Sequence, residues 1–350
     1  RRPLEQRLAL AGTALTRRIE GAKRVHGRLD LPPVMSERRG ALGHQLGLEQ
    51  IEGAAQVPER GDAVGKIMAH AGNLGRRRAI RNFQSRDKSA RGLPVQVFIR
   101  ELWIYPVKSL GGVPVDRAVI THAGSLALDR EWIVVDAADK MVWQGDIPRM
   151  TLVRVALDAD ALTLSMAGME PLRLPLDHAG ATRDLTMYKR AFRGIDAGEA
   201  AAGWLTRALG QPLRLVRIGP AAHQWDGLNP VHVVTDASVT ALNQALLAQG
   251  DDAVVPMRFR PNVILGNGGA FFEEENAVLD FGAARLTLRE PCVRCELPNI
   301  SLIDASRGKQ PLKLIGRLSQ DRPSAPPAAF GTYCTAAGDA LRAGMTAEIA

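Results

Sequence analysis

Three cysteines occur in 350 residues, Cys292, Cys295 and Cys334, all in the last fifth of the sequence. So small and odd a number argues against a secreted disulfide framework, and the clustering suits a site better than a scaffold. The first two stand in Pro291-Cys292-Val293-Arg294-Cys295. A cysteine thiolate is a nucleophile and a soft metal ligand. The C-x-x-C spacing alone leaves several chemistries open. A structural zinc site takes four ligands, and only Cys334 and scattered histidines remain to complete one. A thioredoxin-like redox pair sits at a helix N-terminus, and Glu296-Leu297-Pro298-Asn299 is a poor helix start. Two unreactive cysteines packed as small hydrophobes are the plainest reading of the pair by itself.

Other residues capable of chemistry sit at strand ends. Ile104-Tyr105-Pro106-Val107-Lys108-Ser109 ends in a cation and a hydroxyl. Leu128-Asp129-Arg130-Glu131-Trp132 opens a strand with an arginine, and Arg258-Phe259-Arg260-Pro261-Asn262 sets two arginines and an amide before an apolar run. Lys, Ser, Arg and Asn are the donors that hold a phosphate or a polar heterocycle. Taken singly, each such group is more often a solvated strand end.

The elements that must position these residues are mostly strands. From Val97 the pattern has period two: Phe98, Arg100, Leu102 and Ile104 alternate with Ile99, Glu101 and Trp103, and Pro106 closes the run. Further strands are predicted over residues 113–120, 131–135, 141–143, 152–157, 162–166 and 172–174, with turns at Ala123-Gly124 and 136–139. Many short, closely spaced strands predict a β-barrel or sandwich. Two helices interrupt them. One spans 199–209, with Trp204, Leu205, Ala208 and Leu209 on one face; the other follows a Thr235-Asp236 cap, with Val239, Leu242 and Leu246 in line. Strands are expected again at 262–265 and 285–288, and there is no internal repeat.

The length implies two folded units or more, and a 46% hydrophobic content supports sizeable cores. The net charge of +8 invites a nucleic-acid reading. Its distribution argues otherwise: residues 1–94 hold 19 basic and 9 acidic side chains, and the remainder holds 26 and 28. The rest of the chain is thus nearly neutral, and no nucleic-acid partner is expected. Residues 1–94 have a single aromatic, Phe83, and arginines without a helical stripe. A basic disordered tail, translated sequence upstream of a valine start near Val95, and a small helical domain all fit that stretch. Arg1-Arg2-Pro3 is not a natural initiator. With no bilayer-length apolar run and no signal peptide, a cytoplasmic protein without a membrane partner is expected.

In order, the motifs strand-PVKS, DREW, RFRPN, PCxRC and FGxY (Phe330 to Tyr333) resemble the MOSC superfamily, named for the molybdenum cofactor sulfurase C-terminal domain, with its N-terminal β-barrel partner. The similarity runs from about residue 97 to 350 and is nearest the branch of the amidoxime-reducing components. It implies a mainly β fold with a few helices (α+β): a β-barrel-like N-terminal domain over 97–217, then a β-barrel MOSC domain over 218–350. It also implies a molybdenum-molybdopterin cofactor whose metal is ligated by Cys295. Lys108, Ser109 and Arg130, with Arg260 and Asn262 from the second half, would hold its phosphate or pterin. Val293 would contribute backbone alone, and Tyr333 would close the site and share catalysis with Cys295. Arg294 is expected to favour the thiolate of its neighbour Cys295. The family's hydroxyl-bearing loop here reads Trp225-Asp226-Gly227-Leu228-Asn229-Pro230, so Asn229 is expected to substitute as donor, with Asp226 a poor neighbour for a phosphate. The segment 296–308 is expected to shape a different substrate mouth.

The activity implied is reduction of N-hydroxylated or N-oxide small molecules by two-electron oxygen-atom chemistry. No ferredoxin-type cysteine set is present, so electrons would come from a separate ferredoxin- or cytochrome-type protein and its reductase. The alternative is a cofactor carrier or sulfurtransferase, with a persulfide on Cys292.

Overall fold

The computed structural model describes residues 96–348, apart from 275–277 and 323–324. All belong to the second of the chain's two contact units, Asp87–Ala350, so the readings of residues 1–94 lie outside the described residues.

Strand β1 (Gln96–Ile104) organises the molecule. It pairs antiparallel with three strands: β2 (Val113–Pro114), β12 (Val263–Gly266) and β17 (Thr346–Glu348). The sheet runs β12–β11–β15–β14–β13–β17–β1–β2, and the β1–β12 pairing closes it on itself. Here β11 is Val231–Thr235, β13 is Val278–Asp280, β14 is Ala284–Val293 and β15 is Ala329–Gly338. Residues 97–217 and 218–350, consecutive along the chain, therefore share one barrel. Its interior is apolar, with Val97, Ile99, Leu102, Val233, Leu265, Leu286 and Cys334 all buried. The simple period-two reading of β1 puts Leu102 and Ile104 on the same face as Phe98. A bulge between Ile99 and Glu101 reverses the facing midway, so that Val97 and Ile99 share the core with Leu102 and Ile104.

A second layer is built from the first half. Strands β4 (Trp132–Val135), β10 (Arg214–Arg217), β9 (Arg190–Asp196) and β8 (Thr182–Met187) form one sheet. Strands β5 (Arg154–Leu157), β6 (Ala161–Ser165) and β7 (Leu172–Pro175) form a meander. Helix α1 (Glu199–Leu209) lies between them and buries Ala201, Trp204, Leu205, Ala208 and Leu209, each large side chain worth roughly 1.5–3 kcal/mol of burial. Gly210, in the left-handed region, stops it. Helix α2 (Asp236–Leu247) begins where expected: Thr235 caps it, its hydroxyl accepting from the Ser238 amide at 3.0 Å.

Some elements differ from expectation. The run 113–120 divides into β2 and β3 (Arg117–Val119), because β3 pairs with β16 (Ala340–Arg342) rather than with β1. Residues 141–143 are not a strand; only a single bridge joins Met141 to Val135. The run 285–288 extends to Val293 through two register shifts, carrying Cys292 on the sheet. Helix α3 (Leu312–Gln320) was not foreseen.

Candidate functional site

The PVKS and DREW segments are joined by their backbones. The Tyr105 amide donates to the Asp129 carboxylate at 2.7 Å, the Arg130 amide to the Tyr105 carbonyl at 2.8 Å, and the Lys108 amide to the Trp132 carbonyl at 2.8 Å. Ser109, Arg130 and Arg260 have φ of 70°, 55° and 54°. Left-handed backbone costs a non-glycine residue on the order of 1 kcal/mol, and such strain gathers at functional sites.

Two guanidinium groups flank the buried Tyr105 ring, Arg260 at 4.2 Å and Arg130 at 5.0 Å from its centroid. Arg130 pairs with Asp129 and donates to Asn262 Oδ1 at 3.1 Å and the Arg260 carbonyl at 3.3 Å. Burial works against its charge, while Asp129 holds its pKa above the ordinary value. Arg260 gives one nitrogen to the Leu110 carbonyl at 2.5 Å, and its Nη2 is buried without a partner. Burial pushes Arg260 down to about 10. The Tyr105 phenol, raised by burial, also has a buried hydroxyl without a partner.

The third guanidinium belongs to Arg294, just past β14. Its Nη1 donates to Cys292 Sγ at 2.9 Å and lies 3.3 Å from His232 Nε2; its Nη2 donates to the Phe259 carbonyl at 2.9 Å. The expectation that Arg294 serves Cys295 is corrected on this point: the guanidinium turns inward, to the other cysteine of the motif. Cys292 is buried and Cys295 is exposed. His232, on β11 opposite Tyr333 of β15, lies with its ring 5.4 Å from the tyrosine ring. Burial, and then Arg294 and Arg130, hold the imidazole well below its usual pKa, so it is neutral near pH 7.

A cavity of about 270 Å³ opens beside this cluster. Lys108, Arg130, Tyr188, Trp225, His232 and Tyr333 are among the residues that line it. The Lys108 ammonium stands 4.8 Å from the Tyr188 ring centroid. Asn229 lines the cavity too, but its amide donates to Glu290 at 2.9 Å. Asn262 is fully buried, its side chain committed to Arg130, the His232 amide and the Trp103 carbonyl. Ser109 is buried, and Val293 is exposed. Sequence reading did not single out His232, Tyr188 or Glu290. His232 reaches the site only through its register with Tyr333, which no local pattern encodes. Tyr105 lies inside its motif, and a tyrosine directly before Pro-Val-Lys-Ser is the available signal.

Among the described residues, no three His, Cys, Asp or Glu side chains are grouped to hold a metal ion by themselves. A metal at Cys295 would need further ligands from a bound molecule. The cluster suits an anionic one. Three half-buried guanidiniums face a single carboxylate partner among the described residues, Asp129, and unpaired buried donor atoms remain on Arg260 and Arg294.

Two family models match the chain in tandem: the MOSC N-terminal beta barrel domain over residues 96–212 and the MOSC domain over residues 221–346. Human mitochondrial amidoxime-reducing component 1 is 32% identical over 254 residues, covering 65% of this chain and 73% of that protein. The chain belongs to the MOSC family. Within it, the likeness is to the amidoxime-reducing branch: mitochondrial amidoxime reducing component 2 of Rattus norvegicus is 28% identical over 66% of this chain and 75% of its own length. The molybdenum cofactor sulfurase of Drosophila erecta is 28% identical over 67% of this chain, but the match spans 31% of that protein. Among the described residues of this MOSC protein, no helix is long and apolar enough to cross a membrane.

Proposed function

We propose that this MOSC protein binds the molybdenum cofactor and reduces N-hydroxylated or N-oxide compounds. The substrate oxygen leaves as water, taking up two electrons and two protons. The observation that carries the reading is the half-buried cluster of Arg130, Arg260 and Arg294, short of negative charge, with Arg130 lining the cavity. A phosphate-bearing pterin supplies that charge. Lys108, Ser109, Arg130 and Arg260 would hold its phosphate and ring, Asn262 would orient Arg130, and Cys295 would offer its exposed thiol to the metal. When bound, the cofactor supplies the two-electron redox centre. The chain supplies the rest. Tyr333 and Lys108 at the cavity wall orient the substrate oxygen, and the partial burial of the guanidiniums limits competition from water for the anion. Electrons come from a separate ferredoxin- or cytochrome-type protein, and the reaction is placed in the cytoplasm.

The carrier reading on Cys292 is disfavoured by its burial, at 1% exposure, with the Arg294 guanidinium on its sulfur. A persulfide there could not be handed on without opening the barrel. The test is metal analysis of the purified protein, followed by reduction of benzamidoxime with an artificial reductant. Turnover supports the reductase; tight cofactor binding without turnover overturns it in favour of the carrier.

A further inference from the structure

Cys292 has no part in the chemistry assigned above, yet its sulfur is placed with care. It lies on β14 between the Pro291–Thr332 and Val293–Ala329 pairs, where the register with β15 shifts. That shift turns the side chain into the wall between the strands. There the sulfur accepts an N–H from Arg294 Nη1 at 2.9 Å. Arg294 then continues to His232 Nε2 at 3.3 Å, and the His232 ring leads to that of Tyr333 at 5.4 Å. The four side chains form a continuous run drawn from β11, β14, β15 and the turn after β14. His232 and Tyr333 also line the cavity. Arginine has several rotatable bonds, and a fixed buried acceptor removes much of that freedom.

We propose that Cys292 is a positioning residue, whose sulfur fixes Arg294 and, through Arg294 and His232, the ring of Tyr333, so that they meet the ligand as one unit. A sulfur suits the place because it is a polarizable acceptor that is tolerated in an apolar wall. In kinetic terms the proposal rests on the reductase reading. Its structural half stands without it, because the fixed tyrosine can be observed directly.

The chain contains three tyrosines, Tyr105, Tyr188 and Tyr333, so 3-fluorotyrosine labelling yields three ¹⁹F resonances, assignable by single Tyr→Phe variants. Cys292→Val stays apolar and removes the acceptor, while Cys292→Ser restores an acceptor. Cys292→Val is expected to move the Tyr333 resonance and leave that of Tyr188 in place, and Cys292→Ser is expected to return it most of the way. With benzamidoxime, Cys292→Val should lower kcat/KM about 10- to 100-fold, and Cys292→Ser about threefold or less, the ratio expected when a buried hydrogen bond to a charged group is lost or kept. In a Tyr333→Phe background the Cys292→Val loss should shrink to a few fold, because the hydroxyl being positioned is already gone. An unmoved Tyr333 resonance overturns the proposal, as does equal impairment by valine and serine. If the resonance responds but the parent protein does not reduce benzamidoxime, the reductase reading fails and the positioning role stands.

Discussion

Replacing Asn262 by alanine tests whether the site is held by one buried amide. Its side chain accepts from Arg130 and from the His232 amide, both at 3.1 Å, and donates to the Trp103 carbonyl at 3.0 Å. Asn262→Ala leaves a backbone N–H of β11 and a backbone C=O of β1 unsatisfied in the interior. Each costs about 1–3 kcal/mol, and Arg130 also loses a hold beyond its pairing with Asp129. Allowing for partial relaxation, the expected loss is about 3–5 kcal/mol, a large part of a typical domain's stability. The assay is urea unfolding at equilibrium, where the midpoint should fall with the slope unchanged. Bound molybdenum per chain should fall in step, because Arg130 is no longer aimed. Asn262→Asp should recover part of the stability: it keeps both acceptor contacts but sets a carboxylate oxygen against the Trp103 carbonyl. A loss below about 1 kcal/mol for Asn262→Ala would refute the reasoning, since water would then be satisfying groups placed here in a dry wall.

Further outcomes are expected. Gly331 has φ +75°, and an added Cβ would lie 2.4 Å from His232 Nε2 and 2.8 Å from the Val233 carbonyl, so Gly331→Ala should lower stability by at least ~3 kcal/mol, read as a fall in Tm. Cys295→Ser should abolish most molybdenum redox activity and alter the metal's spectrum while pterin is retained, because a hydroxyl is a harder ligand than a thiolate. Burial raises the Glu274 carboxyl to about 7 against the pull of Arg322. Between the ordinary carboxylate range and that value the folded chain keeps a proton the unfolded chain releases, so this contribution to stability is present at low pH and lost as pH rises through 7. It amounts to about 2–3 kcal/mol between pH 5 and pH 8, and Glu274→Gln should flatten the pH profile of unfolding by that amount relative to the parent. NADH added to the isolated chain should give no steady reduction of benzamidoxime, and sustained turnover would show that no separate electron donor is needed.

Much of the site was legible because its donors sit in short motifs whose residue types already suit an anion. Lys108, Arg130 and Tyr333 do meet at one cavity. What was not legible was their division of labour. Arg294 stands next to Cys295 in the chain, yet β14 ends so that its guanidinium faces Cys292. Asn229 and Asn262 look alike as donors, but one turns to Glu290 and the other is wholly consumed by the barrel wall. In the fold, helices α1 and α2 announced themselves by an apolar face and a threonine cap. The β8–β9 hairpin did not, because its two-residue turn is Tyr188-Lys189, at φ 51° and 63°, where Asn-Gly is the usual signal. The bulge in β1 has no residue signature either, and it alone reverses which half of the strand faces inward.

The pairing of Gln96 with Glu348 has a consequence for how the molecule comes into being. A ribosome releases β1 long before β17, so the opening strand must wait, unpaired on that edge, for nearly the whole of the described chain to be made. Contacts so distant in sequence are slow to form, and an apolar strand left waiting is a hazard for aggregation. Neither stretch, 97–217 nor 218–350, can complete the barrel when made alone. A chain cut between them should therefore recover its fold only when both pieces are present together. The arginine cluster, drawn from both, is assembled only once the strands from β1 to β17 have been made, so loading of any ligand there must follow synthesis of the whole barrel.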